Sequence, residues 1–257
     1  AIPLGAVLTL PATGSEMNAG SVISRESTSE KLFFGSDLVR PVFSILDPET
    51  TYSLPPIQTA NGIVDAFVHV LEQYATYQGP NPLQDRQAEA ILKTLIEEGP
   101  KALEHPKNYE ARANIMWCAT NALNGWLSLG VPTDWAAHVI GHELTALYGV
   151  DHGTSLAIVE PGVWEHQRDR KKEKLLQYGE RVWDICEGED DTRITKAIEY
   201  TDAFFQSLGI GTRLRDHNIP EEACGLVAKR LAKREMKVGE HADLGEKEVA
   251  EILSLRI

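Results

Sequence analysis

The stretch WAAHVIGHELTALYGVDHG, residues 135–153, carries His138, His142 and His152, in a chain with only eight histidines. His138 and His142 stand four residues apart, which on a helix puts both side chains on one face, about 5–6 Å apart at Cβ. The same wheel sends Ala136, Ile140, Leu144 and Leu147 to the core side. A second stretch, GIVDAFVHVLEQY at 62–74, repeats the spacing with Asp65 and His69. There Ile63, Phe67 and Leu71 line one side, and Asp65, His69 and Glu72 share the other. His152 follows Gly149 and Asp151, at a turn where the chain folds back toward the preceding helix. One such pair alone is ordinarily a solvated helix face. Two of them, on helices that are otherwise not very polar, point instead to a metal site. A carboxylate with several imidazoles suits zinc or ferrous iron, because both accept nitrogen and oxygen donors. The set holds no thiolate, which argues against an iron–sulfur cluster or a structural cysteine–zinc site.

Two hydrolase motifs fail on inspection. HVIGHELTA resembles a zincin, but His-Glu-x-x-His requires a histidine where Ala146 stands. A His-Asp dipeptide of the HD phosphohydrolase kind is also lacking, since the order is Asp151–His152. A metal-dependent hydrolase built on the same Asp/His set is therefore a weak rival.

These residues need elements to hold them. Short strand-like runs at Ala6–Leu10 and Val42–Leu46 are bounded by Gly, Pro and Asp. Between them PATGSEMNAGSVISRESTSEK reads as loop, with one further strand at Ser21–Ser24. After LDPETTYSLPP the texture turns helical. Apolar spacing near 3.6 predicts helices over 57–77, 82–98, 109–129, 134–147, 154–166, 171–186, 191–208, 221–234 and 247–255. Capping residues support several starts, among them Asp134, Asp191, and Pro220 followed by Glu221. The expectation is a mainly α chain in two parts: residues 1–50 as the last strands of an α/β domain, and 51–257 as a helical domain. So few strands cannot make a stable sheet with both edges open, so the remaining strands are expected to lie before Ala1 or to come from elsewhere.

The bulk composition excludes some classes. A formal charge of −13 argues against nucleic acid as a partner. The basic run from Arg168 to Lys174 is interleaved with Asp169 and Glu173, as on a solvated helix face. No apolar segment reaches the roughly 20 residues of a membrane span. Cys118, Cys186 and Cys224 are odd in number and far apart, which fits reduced thiols and a cytoplasmic location.

Four ordered motifs carry a family likeness: LTLPATGSE at 8–16, LDPETTYSLPP at 46–56, GIVDAFVHVLEQY at 62–74 and HVIGHELTALYGVDHG at 138–153. Together they resemble the iron-containing (group III) alcohol dehydrogenases, closest to the bacterial NADPH-dependent aldehyde reductases and butanol dehydrogenases. The resemblance implies a dehydroquinate synthase-like, iron-alcohol-dehydrogenase fold, in which an α/β dinucleotide-binding domain precedes a helical metal-binding domain. It also implies oxidoreduction of a small aldehyde or alcohol with NADP(H), or less favourably NAD(H), in a homodimer. Carried over by motif, the metal ligands, for Fe2+ or Zn2+, fall on Asp65, His69, His138 and His152. His142 is then a cleft residue, as proton relay or merely polar neighbour. Thr9, Thr13, Ser15 and Asn18 would contact the cofactor, and Lys31 would reach its nicotinamide ribose.

One departure from the family pattern is large. A glycine-rich pyrophosphate loop is absent, and Gly209–Gly211 sits between helices with no strand before it. The pattern leads one to expect about a hundred further N-terminal residues, a domain's worth. The rival from another class is a catalytically silent helical metal-binding or oligomerisation module.

Overall fold

In the computed structural model residues 2–77, 79 and 81–257 are described. Among them four short strands, β1 (Gly5–Val7), β2 (Gly20–Arg25), β3 (Glu30–Gly35) and β4 (Phe43–Ile45), precede the helices. β1 and β4 pair in parallel, with Gly5 opposite Phe43 and Val7 opposite Ile45. β2 and β3 form an antiparallel hairpin, with Gly20 opposite Gly35 and Arg25 opposite Glu30. The sequence reading gave only the first strand of that hairpin. The run Leu32-Phe33-Phe34 supplies the second, after a turn that puts Ser29 in the left-handed region at φ +49°.

The helices are α1 (Pro56–Tyr74), α2 (Pro82–Glu104), α3 (Tyr109–Ala122), α4 (Ala136–Tyr148), α5 (His152–His166), α6 (Lys172–Trp183), α7 (Asp190–Ser207), α8 (Ala223–Lys233) and α9 (Glu246–Ser254). The chain is mainly helical, as expected. Several boundaries differ from the periodicity; α1 and α6, for instance, each end three residues early, at Tyr74 and Trp183. α2 runs on through Pro100 to Glu104. α3 stops at Ala122 rather than near Leu129, because the Asn124 side chain accepts the Trp126 N–H and turns the chain. α5 starts at His152, so this histidine opens a helix rather than sitting in a bend.

α1 is the axis of the molecule. Pro56 stands at its first turn, where the missing N–H costs nothing. Every residue from Thr59 to Tyr74 is buried, because α2, α3 and α5 all pack on this helix. This corrects the two-faced reading of 62–74: Asp65, His69 and Glu72 are as enclosed as Ile63, Phe67 and Leu71. Ile63, Val64, Val68 and Val70 are middling helix formers. Burial, at ~1.5–3 kcal/mol for each large apolar side chain, outweighs that and holds the helix.

α4 and α5 pack together across a short turn closed by Gly149. Beyond it α5 crosses α1 at very short range. A Cβ on Gly153 would lie 2.3 Å from the Asn61 carbonyl oxygen. That approach, open only to glycine, brings the first residue of α5 against the middle of α1.

Candidate metal centre

Three helices gather four side chains around Asp65: donor atoms of Asp65, His69 and His138 all lie within 4.8 Å of one another, and His152 approaches from the Asp65 side. Oδ1 of Asp65 lies 3.7 Å from Nε2 of His69, 3.7 Å from Nε2 of His138 and 3.4 Å from Nε2 of His152. The rings of His69 and His138 stack with centroids 4.5 Å apart. Asp65, His69 and His138 are buried, whereas the His152 side chain keeps 23% of its surface and forms the open flank. Both Asp65 oxygens and His138 Nε2 are buried without a hydrogen-bond partner. Leaving such atoms unpaired is costly, and a carboxylate most of all. Donors at the corners of a tetrahedron with ~2.0–2.2 Å bonds stand roughly 3.3–3.6 Å apart. The donor types, their spacing and their unsatisfied atoms therefore fit a divalent cation.

The local electrostatics prepare the donors. Burial alone would raise the Asp65 carboxyl, but the surrounding imidazoles hold it well below the usual carboxylate range. Burial pushes His69 down to about 4 and His152 down to about 3, against the pull of Asp65. Both rings are thus neutral near pH 7 and carry a lone pair to donate. His138 behaves oppositely. Burial pulls it down, yet the carboxylates of Glu72 and Asp65 outweigh this and raise it to about 9.

His142 stands beside the cluster, its ring centroid 5.2 Å from that of His152 and 6.4 Å from that of His138. Burial, then the charges of Lys31, His152 and His138, push it down to about 2. Lys31 enters from β3, which packs on α4. Burial lowers its ammonium, and the Asp65 charge pulls the other way. The hairpin is fixed there by Glu143, which is buried and accepts from Arg230 Nε at 2.6 Å and from Arg234. Arg230 also donates to the Ser29 carbonyl at 2.6 Å. The glutamate of the false zincin motif thus ties α4 and α8 to the hairpin turn.

The loop at 9–18 crosses α1 one turn before Asp65. The Pro11 carbonyl would lie 2.4 Å from a Cβ on Gly62. Thr9, Thr13 and Ser15 are exposed on it. The Asn18 amide donates to the Thr13 and Leu123 carbonyls at 2.8 and 3.1 Å, and its Oδ1 accepts the Gly20 N–H. It braces the loop against α3. Glu16, which the sequence reading passed over, is buried and accepts the Thr120 hydroxyl at 2.5 Å for the same purpose. A hollow of about 780 Å3 lies beside this loop, lined by Met17, Phe43, Trp117 and Trp126.

Two further residues escaped the sequence reading. Glu72 contacts Nδ1 of His138; its place on the Asp65–His69 stripe was visible, its partner was not. Trp135 sits at φ +64° just before α4, with its ring 5.3 Å from His138 and 6.2 Å from His69. A bulky residue in that region is strained, and no sequence signal marks it.

Comparison with known proteins gives a concordant result. Residues 59–256 match the Fe-containing alcohol dehydrogenase family, C-terminal, and residues 1–48 match Iron-containing alcohol dehydrogenase. The NADPH-dependent aldehyde reductase YqhD of Escherichia coli (strain K12) is 56% identical over 245 residues, covering 95% of this chain and 63% of the relative. A probable NADH-dependent butanol dehydrogenase 1 of Bacillus subtilis (strain 168) is 42% identical over 255 residues, covering 98% and 66%. The crystal structure of E. coli K-12 YqhD superimposes with a TM-score of 0.98 at 53% identity, over 100% of this chain and 66% of that one. The chain therefore spans about two thirds of the length of these relatives. By sequence and by fold, it belongs to the iron-containing alcohol dehydrogenase family.

Proposed function

We propose that this chain is the metal-binding part of an enzyme that interconverts aldehydes and primary alcohols by hydride transfer with a nicotinamide cofactor. The observation that carries the proposal is the buried Asp65 carboxylate, unpaired, with three imidazole Nε2 atoms 3.4–3.7 Å from it. On this reading residues 1–50 are the tail of an α/β dinucleotide-binding domain and 51–257 the helical catalytic domain. The 56% identity to an NADPH-dependent aldehyde reductase favours NADP(H) over NAD(H).

Asp65, His69, His138 and His152 would hold the ion, Fe2+ or Zn2+. Such an ion supplies Lewis-acid stabilisation of the negative charge that hydride delivery builds on the carbonyl oxygen, worth several kcal/mol. With the proton on His138 Nε2 displaced by the ion, one carboxylate and three neutral imidazoles would leave a dication net positive, as that role requires. Burial of Asp65, His69 and His138 excludes water from one side, and the exposed flank of His152 admits the substrate oxygen. His142, neutral and half-buried, would relay a proton to the product oxygen, taking one from water on one ring nitrogen as it gives up the hydrogen on the other. Lys31 and the exposed Thr9, Thr13 and Ser15 would orient the cofactor, with Asn18 bracing their loop.

Elemental analysis of the chain and three variants tests this. Wild type and His142→Ala should retain a bound divalent ion, whereas His138→Ala and His152→Ala should lose most of it. Equal loss in all three would remove His142 from its role, and a metal-free wild type would remove the metal. A titration with NADPH, followed by the fluorescence of the five tryptophans, separates the enzyme from the silent module. Binding without aldehyde reduction would favour the module.

A further inference from the structure

The entry of α4 is built from carboxylates of two other segments. The Ala137 N–H, in the first turn, donates to Glu72 Oε1 at 2.6 Å. The Ala136 N–H donates to Asp134 Oδ1 at 3.1 Å, and the Asp134 N–H donates to the Glu72 main-chain carbonyl at 2.8 Å. Lys171 locks the arrangement, meeting Asp134 Oδ2 at 2.6 Å, the Ala75 carbonyl at 2.6 Å and Glu240 at 3.0 Å. The second oxygen of Glu72 contacts His138 Nδ1. Glu72 therefore uses one oxygen on the helix backbone and the other on the imidazole, and is itself enclosed.

A carboxylate accepts on both oxygens and donates on neither. The imidazole nitrogen facing it must then be the one that carries the hydrogen. We propose that Glu72 is a positioning residue: it fixes Nδ1 of His138 as the N–H and so turns the lone pair of Nε2 toward Asp65. This rests on the metal-site reading above. It extends that reading by assigning the origin of one ligand's donor atom to a residue outside the ligand set.

Replacing one oxygen by an amide separates the two tasks. In Glu72→Gln the remaining oxygen stays with the Ala137 N–H, a donor that cannot change. The amide NH2 then faces His138 Nδ1, which becomes an acceptor, and the hydrogen moves to Nε2. That tautomer has no lone pair to offer toward Asp65.

The test combines two readouts on the metal-free chain. Nitrogen NMR of 15N-histidine-labelled protein, recorded above the pH at which the His138 ring loses its second proton, reports which of its two nitrogens keeps the remaining hydrogen. Competition with a chromophoric chelator gives the zinc affinity. In wild type Nδ1 should be protonated; in Glu72→Gln it should be bare, with zinc bound ten- to a hundredfold more weakly. Asp134→Asn disturbs the same helix entry without touching His138. It should lower the melting temperature yet leave Nδ1 protonated and zinc affinity within a few-fold of wild type. A bare Nδ1 in wild type overturns the proposal even if Glu72→Gln does not fold. So does either change in Glu72→Gln without the other, or an equal loss of affinity in Asp134→Asn. A protonated Nδ1 in a wild type that takes up no zinc overturns the metal-site reading, and the orientation then serves no ion.

Discussion

The crossing of α5 over α1 supports a quantitative prediction. In Gly153→Ala the new methyl would lie 2.3 Å from the Asn61 carbonyl oxygen, 2.8 Å from its Cα and 2.9 Å from its carbonyl carbon. All three are backbone atoms of a buried helix, so no side chain can swing aside. Ordinary contact begins near 3.4 Å, so α5 must move off α1 by about 1 Å. His152 is the adjacent residue and moves with it, stretching its 3.4 Å separation from Asp65 by a similar amount. Metal–ligand distances tolerate only about ±0.2 Å. Gly153→Ala should therefore destabilise the fold by ~1–3 kcal/mol, the usual cost of overpacking, and also bind zinc far more weakly. Gly149→Ala is the comparison. Its φ is +70° and a Cβ there meets nothing within 4 Å. It should cost ~1–2 kcal/mol of backbone strain and leave zinc affinity unchanged. Chelator competition and urea unfolding on both variants provide the assay. Wild-type zinc affinity in Gly153→Ala, or a matching loss in Gly149→Ala, would refute the claim that this crossing sets the ligand position.

Two other outcomes are expected. In the metal-free chain, His69 and His152 stay neutral when folded but take up protons once unfolded, so stability should fall as the pH drops below 6.5 through about 4 to about 3. His138, raised to about 9, acts in the opposite sense: its contribution is complete below 6.5 and is lost as the pH rises through 9. Thermal melts across that range should peak near neutrality, and a flat profile would contradict the assigned environments. Phe67→Ala removes a fully buried ring that packs against Phe204 and Phe205 at 5.1 and 5.7 Å. Urea unfolding should show a loss of ~3–5 kcal/mol, and a loss under ~1 kcal/mol would mean that the core collapses around the gap.

The legible part of this molecule was what repeats at helical spacing. The i,i+4 pairs Asp65–His69 and His138–His142 stood out because ligand-type side chains are rare on apolar helices, and the helix spans followed from the same period. Periodicity also set a trap. It grouped Asp65, His69 and Glu72 as an outward face, whereas α1 is enclosed on all sides by helices distant in sequence. It paired His142 with His138 as readily as His69 with Asp65, yet His142 stands outside the four-residue cluster; only the motif likeness separated them. Glu16, Glu72 and Glu143 take their meaning from Thr120, His138 and Arg230, partners far away along the chain. No local pattern carries such pairings. The left-handed Trp135 is likewise set by tertiary contacts, since its residue type favours an ordinary backbone.

Most proteins mount their chemistry on surface loops and leave the interior for support. Here two of the four clustered donors ride on the deepest helix of the molecule, so the donor spacing drifts only as fast as the hydrophobic interior repacks. Exchange of the exposed connections can retune what approaches the open flank while the donor geometry is inherited unchanged. Conversely, a mutation selected for interior stability along α1 is never neutral for the chemistry. In a lineage descended from this chain, substrate range and donor geometry should therefore evolve at different rates.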